Sequence, residues 1–236
     1  MQLFYNSQIT ESDEQFTFNK IESRHIIRVL RKKEGDKLYI TNGIGFLFSA
    51  KISIANDKSC IVNIINCVKK SKPWRYQLHI AIAPTKNNDR FEWFLEKATE
   101  VGIDEITPLI CERSERKILK LERMQKIIES AGKQSLKYHF PKLNEPIKFE
   151  DFINTHSSGK LFIAHCEDLN KESLQSLCET EDKITILIGP EGDFTANEIN
   201  KATAKNYQAI SLGESRLRTE TAGIIAVHTI SLVNNK

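Results

Sequence analysis

The stretch from Lys183 to Val227, KITILIGPEGDFTANEINKATAKNYQAISLGESRLRTETAGIIAV, constrains the chain most. Two short apolar runs, Ile184–Ile188 and Ala209–Leu212, read as buried strands. Each ends in a Gly-bearing turn, Gly189-Pro190-Glu191-Gly192 after the first and Gly213-Glu214-Ser215 after the second. Each turn then feeds a helical pattern. Thr195 and Glu198 form a capping box for the first helix, and Thr219 is a candidate N-cap for the second. A repeated strand–loop–helix grammar implies an α/β domain whose ligand site lies at the carboxyl ends of its strands.

The rest of the chain divides in two. Residues 1–72 hold 12 Lys and Arg against 7 Asp and Glu, a net of +5; residues 73–236 hold 22 against 24, a net of −2. A basic small domain beside a slightly acidic larger one suggests that the first touches a polyanion. Within 1–72, a helix is expected over 21–33, with Ser23 as N-cap and a core stripe of Ile26, Ile27, Val29 and Leu30. Arg24, Arg28 and Arg31 would then share its exposed face. Lys37–Thr41 and Phe46–Ile54 flank the hairpin signal Asn42-Gly43, and a third strand covers Cys60–Cys67. So many short strands in so few residues suggest a small barrel. Lys69–Pro73 reads as a linker.

From residue 73 strands and helices alternate: strands at 77–83, 105–111 and 160–165, helices at 90–101, 121–138, 149–156 and 171–179. That order implies a mostly parallel sheet covered by helices. Five scattered cysteines without a CxxC pair point to a reducing, cytoplasmic setting. No basic-then-apolar leader opens the chain, and no apolar run is long enough to span a bilayer. The six histidines show no ligand spacing, so no metal is expected.

The first Gly turn is neither a P-loop nor the GxGxxG dinucleotide fingerprint. A helix N-terminus favours anions, but Glu191 and Asp193 place two negative charges there. Phosphate is therefore disfavoured, and a cationic or neutral ligand such as S-adenosylmethionine fits better. In the second loop, Ala222, Gly223 and Ala226 are small enough for close backbone packing, and Arg216 and Arg218 could reach an RNA phosphate.

These two blocks, LIGPEGDF and SLGESRLRTETA, resemble the signature of the SPOUT-class methyltransferases, in particular the RsmE family. Further blocks follow in the same order: Arg24-His25-Ile26 with Val29-Leu30-Arg31 and Gly35-Asp36, then Lys86 and Glu92, Lys97–Gly102, Ile106-Thr107-Pro108, Arg113-Ser114 and Gln134-Ser135. The resemblance covers nearly the whole chain. Three places depart from it: Asp193 stands where the family often has Gly, Lys137 where it has Arg, and Glu214-Ser215-Arg216-Leu217-Arg218 where it commonly reads Pro/Ser-Arg-Ile-Leu-Arg, the arginines preserved.

The resemblance implies an α/β fold with a C-terminal trefoil-knotted methyltransferase domain (73–236) and an N-terminal PUA-like β-barrel (1–72) that binds RNA. It implies S-adenosylmethionine as cofactor, bent between three loops: Ala164, His165 and Cys166; Ile188, Gly189, Pro190, Glu191 and Gly192; and Leu212, Gly213, Ser215, Leu217 and Arg218. It further implies a homodimer, the small ribosomal subunit as partner, and methylation of N3 of a uridine in 16S ribosomal RNA. Arg24, Arg28, Arg31, Lys86, Arg113, Lys137 and Arg216 are the expected RNA contacts. N3 must lose a proton, so a base or an anion stabiliser is needed; Glu191, Glu220, His165 and Arg218 are the candidates, with Arg218 preferred. Competing readings are a knotted methyltransferase acting on a ribose 2′-OH or on transfer RNA, and a catalytically silent assembly factor.

Overall fold

The structure is a computed structural model that describes residues 1–156, 158–167 and 171–234. The chain divides into two compact units. One comprises Met1–Lys72 with Gly132–Phe140, the other Pro73–Ala131 with Pro141–Lys236. The segment after residue 131, which the sequence reading leaves in the larger domain, thus packs with the smaller unit.

The first unit contains β1 (Leu3–Tyr5), β2 (Gln15–Thr17), α1 (Lys20–Arg24), a π-helical turn (His25–Val29), β3 (Lys37–Thr41), β4 (Phe46–Ile54) and β5 (Ile61–Lys69). Its five strands lie in the order β1-β3-β4-β5-β2, with β1 parallel to β3 and the other neighbours antiparallel. Among the described residues no ladder joins β1 to β2, so the hydrogen-bonded sheet is open rather than a closed barrel. Phe4, Ile26, Leu38, Ile40, Phe48, Ile52 and Val62 fill its core.

The expected long helix is replaced by a short one. Asn19, not Ser23, caps α1 by accepting from Glu22 N. Ser23 is buried: its Oγ donates to Phe18 O and accepts from Cys60 N. The hydroxyl thus ties the helix to the strand region instead of opening the helix. The chain then widens into the π turn, and Arg31 adopts φ +55°. Regular helical spacing therefore ends at Arg24, and Val29, at 67% exposed, lies outside the core. Arg24, Arg28 and Arg31 are all exposed but share no regular helix face.

The second unit contains β6 (Gln77–Ile82), α2 (Asn88–Val101), β7 (Glu105–Ile110), most of α3 (Leu121–Gln134), β8 (Lys142–Leu143), β9 (Ile147–Lys148), α4 (Phe149–Thr155), β10 (Lys160–Ala164), β11 (Glu172–Ser173), α5 (Leu174–Leu177), β12 (Lys183–Ile188), α6 (Ala196–Ala204), β13 (Gln208–Ser211) and α7 (Thr219–Asn234). The strands run β11-β13-β10-β12-β6-β7-β8, with β9 also on β7, and every pairing is parallel. The central strands are buried on both faces, which is why β12 reads as an unbroken apolar run. The helix expected over 171–179 is instead a two-residue edge strand followed by one helical turn. Its register comes from pairing with β13, which no local pattern announces.

Candidate active site

Three parallel neighbours, β13, β10 and β12, end on the same side of the sheet. The segments that follow them enclose a cavity of about 840 Å³. Its walls bring together Ala164, His165 and Cys166 after β10, Ile188, Gly189, Pro190 and Glu191 after β12, and Leu212, Gly213, Ser215, Leu217 and Arg218 after β13. Every residue expected to hold the cofactor lines this cavity except Gly192, which faces the Arg113 side chain instead.

The backbone explains the loop residues. Gly213 adopts φ +128°, closed to ordinary side chains. A Cβ at Gly189 would stand 3.1 Å from the Phe194 ring, so the first turn lies tight against its own helix. Thr219 Oγ1 donates to Gly189 O at 3.1 Å, joining the second and third loops. Thr219 is thus the first residue of α7 rather than the N-cap expected, and its hydroxyl ties two loops together. The capping box at α6 is present as expected, with Thr195 and Glu198 satisfying each other's backbone N–H groups. Glu198 also accepts from Glu112 N at 2.9 Å, fixing the loop after β7 to the start of α6.

The charged candidates separate. Arg218 is exposed on the cavity wall, and Arg216 is exposed beside it. Glu191 also lines the cavity, but its Oε1 accepts Lys86 N at 2.9 Å, so one oxygen is engaged in holding the loop after β6. Glu220 does not reach the cavity. It is buried in the first turn of α7, its Oε1 3.9 Å from Arg90 Nε and its Oε2 unpartnered among the described residues. A carboxylate there complements the helix dipole. His165 lines the cavity as a buried ring with neither nitrogen hydrogen-bonded among the described residues. Burial first, and the positive Lys171 second, push its pKa down, so the ring is neutral at ordinary pH.

The expected RNA contacts are scattered. Arg28 is paired with Asp57 at 2.8 Å in the first unit, where Lys137 also lies, its pKa lowered by burial. In the second unit Lys86 Nζ pairs with Glu115 at 2.8 Å, and Arg113 Nη1 donates to Gly192 O at 2.7 Å. Among the charged residues of the cavity wall, sequence reasoning missed Lys171. Asp193 adopts φ +62°, so the turn keeps the left-handed conformation a glycine would supply there.

The cavity fits a nucleoside-bearing sulfonium. Its volume suits a small organic ligand. Apolar Ile188, Ile210, Leu212 and Leu217 offer surfaces for a base, and the glycines expose backbone groups for polar recognition. The wall mixes Glu167, Glu191, Asp193 and Glu214 with Lys171, Arg216 and Arg218, and four carboxylates there disfavour a phosphate ligand.

A ligand cavity at the carboxyl edge of a parallel sheet is the arrangement of an α/β enzyme domain. Residues 72–231 match the RNA methyltransferase domain, and residues 19–65 match the RNA methyltransferase PUA domain. Ribosomal RNA small subunit methyltransferase E of Buchnera aphidicola is 33% identical over 90% of this chain and 86% of its own length. The structure of a probable rRNA-methyltransferase from Porphyromonas gingivalis superposes with a TM-score of 0.93 at 40% identity, covering 100% of this chain and 99% of that one. A ribosomal RNA small subunit methyltransferase E from Neisseria gonorrhoeae, bound to S-adenosyl methionine, gives a TM-score of 0.84 at 25% identity over 99% of this chain and 98% of its own. The chain belongs to the RsmE family of RNA methyltransferases.

Proposed function

We propose that this chain uses S-adenosylmethionine to methylate N3 of a uridine in small-subunit ribosomal RNA. The single observation that carries the reading is the three-loop cavity with Arg218 on its wall. Names of relatives such as those from Buchnera aphidicola and Neisseria gonorrhoeae support the small-subunit substrate, and the bound ligand of the latter supports the cofactor. When bound, the cofactor supplies a methyl carbon made electrophilic by a sulfonium, ready for in-line displacement. Ala164, Ile188, Gly189, Leu212, Gly213 and Leu217 would hold it, with Glu191 offsetting its positive charge.

The chain's remaining tasks are alignment and preparation of the acceptor. A paired uridine hides N3, so the base is taken from its stack before reaction. The proton on N3 passes to Glu191 or to water, and the Arg218 guanidinium stabilises the resulting uridine anion. His165, its pKa lowered by burial, is a neutral ring in the cavity wall. Arg24, Arg31 and Arg216, all exposed, hold RNA phosphates and set the register.

Two finer features belong to the same reading. A trefoil knot is supported by the strand order: β13 lies on one side of β10, whereas α7, which follows it, packs back on β6 and β12 on the other. A homodimer is supported by α7, whose sequence is apolar on nearly all sides although Leu232 is 52% exposed. The division at residues 72/73 into an RNA-binding and a methyltransferase domain, and a cytoplasmic location, complete the proposal. No helix among the described residues is long and apolar enough to cross a membrane.

The test is transfer of a labelled methyl group to ribosomal subunits and to naked RNA, followed by mapping of the modified nucleotide and atom. Arg218→Ala should lower kcat roughly 100-fold or more, the cost of losing one group that stabilises developing charge. It should also steepen the rise of rate with pH, since uridine must then ionise unaided. An unchanged kcat would remove Arg218 from the chemistry, and methylation at a ribose oxygen would replace the uridine assignment.

A further inference from the structure

The first cavity loop has no ladder of its own after β10 ends at Ala164. It is nevertheless fixed at three successive residues, each by a charged side chain. Cys166 N donates to Asp193 Oδ2 at 2.7 Å. Lys171 Nζ donates to His165 O at 2.6 Å and to Glu167 O at 2.8 Å. The second carboxylate oxygen of Asp193, Oδ1, accepts Phe194 N at 2.8 Å, and Asp193 N donates to Pro190 O at 2.9 Å, closing the Gly189–Gly192 turn. Asp193 therefore bridges two cavity loops with one carboxylate. Hydrogen bonds to an ionised group are shorter and stronger than neutral ones.

The conformation of Asp193 sharpens the point. At φ +62° it sits in the left-handed region, where a side chain is strained and glycine is not. Backbone comfort alone would select glycine. A carboxylate nevertheless stands at this position, one oxygen accepting Cys166 N from the neighbouring cavity loop and the other accepting the adjacent Phe194 N of its own turn.

We propose that Asp193 is a positioning residue for cofactor binding, its carboxylate locking the 165–167 loop onto the 189–193 turn so that two of the three cavity walls are formed before ligand arrives. Lys171 is its cationic counterpart, holding the carbonyls on either side of the amide that Asp193 holds. A loop ordered in advance does not have to be ordered at binding, and the saving appears as affinity. The proposal rests on the reading of the cavity as an S-adenosylmethionine site.

The experiment compares the full-length chain with Asp193→Gly and Asp193→Asn. Glycine suits the φ angle, so its melting temperature should equal or exceed that of the parent. Calorimetric affinity for S-adenosylmethionine should nonetheless fall about tenfold, through lost pre-organisation. Asparagine keeps one acceptor oxygen and tolerates the left-handed region, so it should recover part of the affinity. A merely structural role would move stability and affinity together. Parental affinity in Asp193→Gly would overturn the proposal. Amide hydrogen exchange at Cys166 in the ligand-free protein gives a reading independent of the cofactor. Protection in the parent that is lost in Asp193→Gly supports the bridge, and equal exchange overturns it. If the parent itself fails to bind S-adenosylmethionine, the proposed function falls, and exchange at Cys166 still decides whether Asp193 orders the loop.

Discussion

At the scale of single residues, one strongly perturbed titratable group lies away from the cavity. His79 in β6 is buried, with Nε2 2.7 Å from Thr107 Oγ1 and Nδ1 3.8 Å from Glu105 Oε2. Asn144 Nδ2 donates to both Thr107 Oγ1 and Glu105 Oε1, so the three side chains and His79 form one network. Desolvation, opposed by Glu105 and reinforced by His156, lowers the His79 pKa to about 4. An unfolded histidine titrates near ~6.5, so between that pH and 4 the unfolded chain binds a proton that the folded chain refuses. The stability present above the unfolded value is thus lost as pH falls toward 4, by at most about 3 kcal/mol from this one group. Glu105, held by Asn144 and Lys142 against its own burial, also has its pKa lowered, so its contribution too is lost as pH falls. Urea denaturation at pH 7.5 and pH 5 should therefore show a larger loss in the parent than in His79→Gln. Equal losses would mean that His79 is not held neutral. Sequence reasoning placed no weight on His79, because its partners come from β7 and from residue 144, far along the chain. The cavity glycines were legible, since a turn between a buried strand and a helix needs them locally.

At the scale of elements, α7 is where packing outweighs propensity. Its Gly223 would be a poor helix residue in water, costing about 1 kcal/mol relative to alanine. A Cβ at that position would stand 2.7 Å from the Phe94 ring and 2.9 Å from Ile82 Cδ1. Glycine is there so that α7 can lie directly on α2 and β6. Gly223→Ala should thus destabilise by about 1–3 kcal/mol despite the better helix residue, because the interior cannot absorb the methyl group without movement. The check is a lower urea midpoint with an unchanged slope; a gain in stability would show that Phe94 swings aside freely. The small residues of this helix were readable in sequence, and so was their meaning. What escaped were elements of two or three residues: β1, β2, β8, β9 and β11. They exist through pairing with strands distant in sequence, and two residues carry no period. The misread helix at 21–33 failed for a related reason. Ser23 looks like a cap but is buried beneath Phe18 and Cys60, and a π turn breaks the spacing that the arginines suggested.

At the scale of the whole molecule, the chain contributes to the smaller unit twice. The last turn of α3 and the residues through Phe140 return to it, with Gly45 N donating to Tyr138 O and Phe140 N to Gly43 O. A contiguous reading of composition could not find that return. The same helix-by-helix reading also leaves α7 unexplained in a lone chain. A helix apolar on nearly every side is ordinarily enclosed on every side. Ala226, Val227, Ile230 and Val233 are buried within the unit, while Ile224 and Ile225 are half covered and Leu232 is 52% exposed. Trp93 of α2, which packs beside α7, is 43% exposed as well. A second copy of the chain laid over this surface would bury these groups, the arrangement of a self-complementary two-fold contact. Sedimentation equilibrium should accordingly find a dimer, and Leu232→Glu should weaken association by roughly 30-fold or more, the ~2 kcal/mol of a central apolar contact. The substituted side chain points to solvent in the single chain, so its melting temperature at monomer-favouring dilution should match the parent's at the same dilution. A parent protein that sediments as a monomer at all accessible concentrations would sink the dimer and return the exposed Leu232 to the ordinary run of surface hydrophobics.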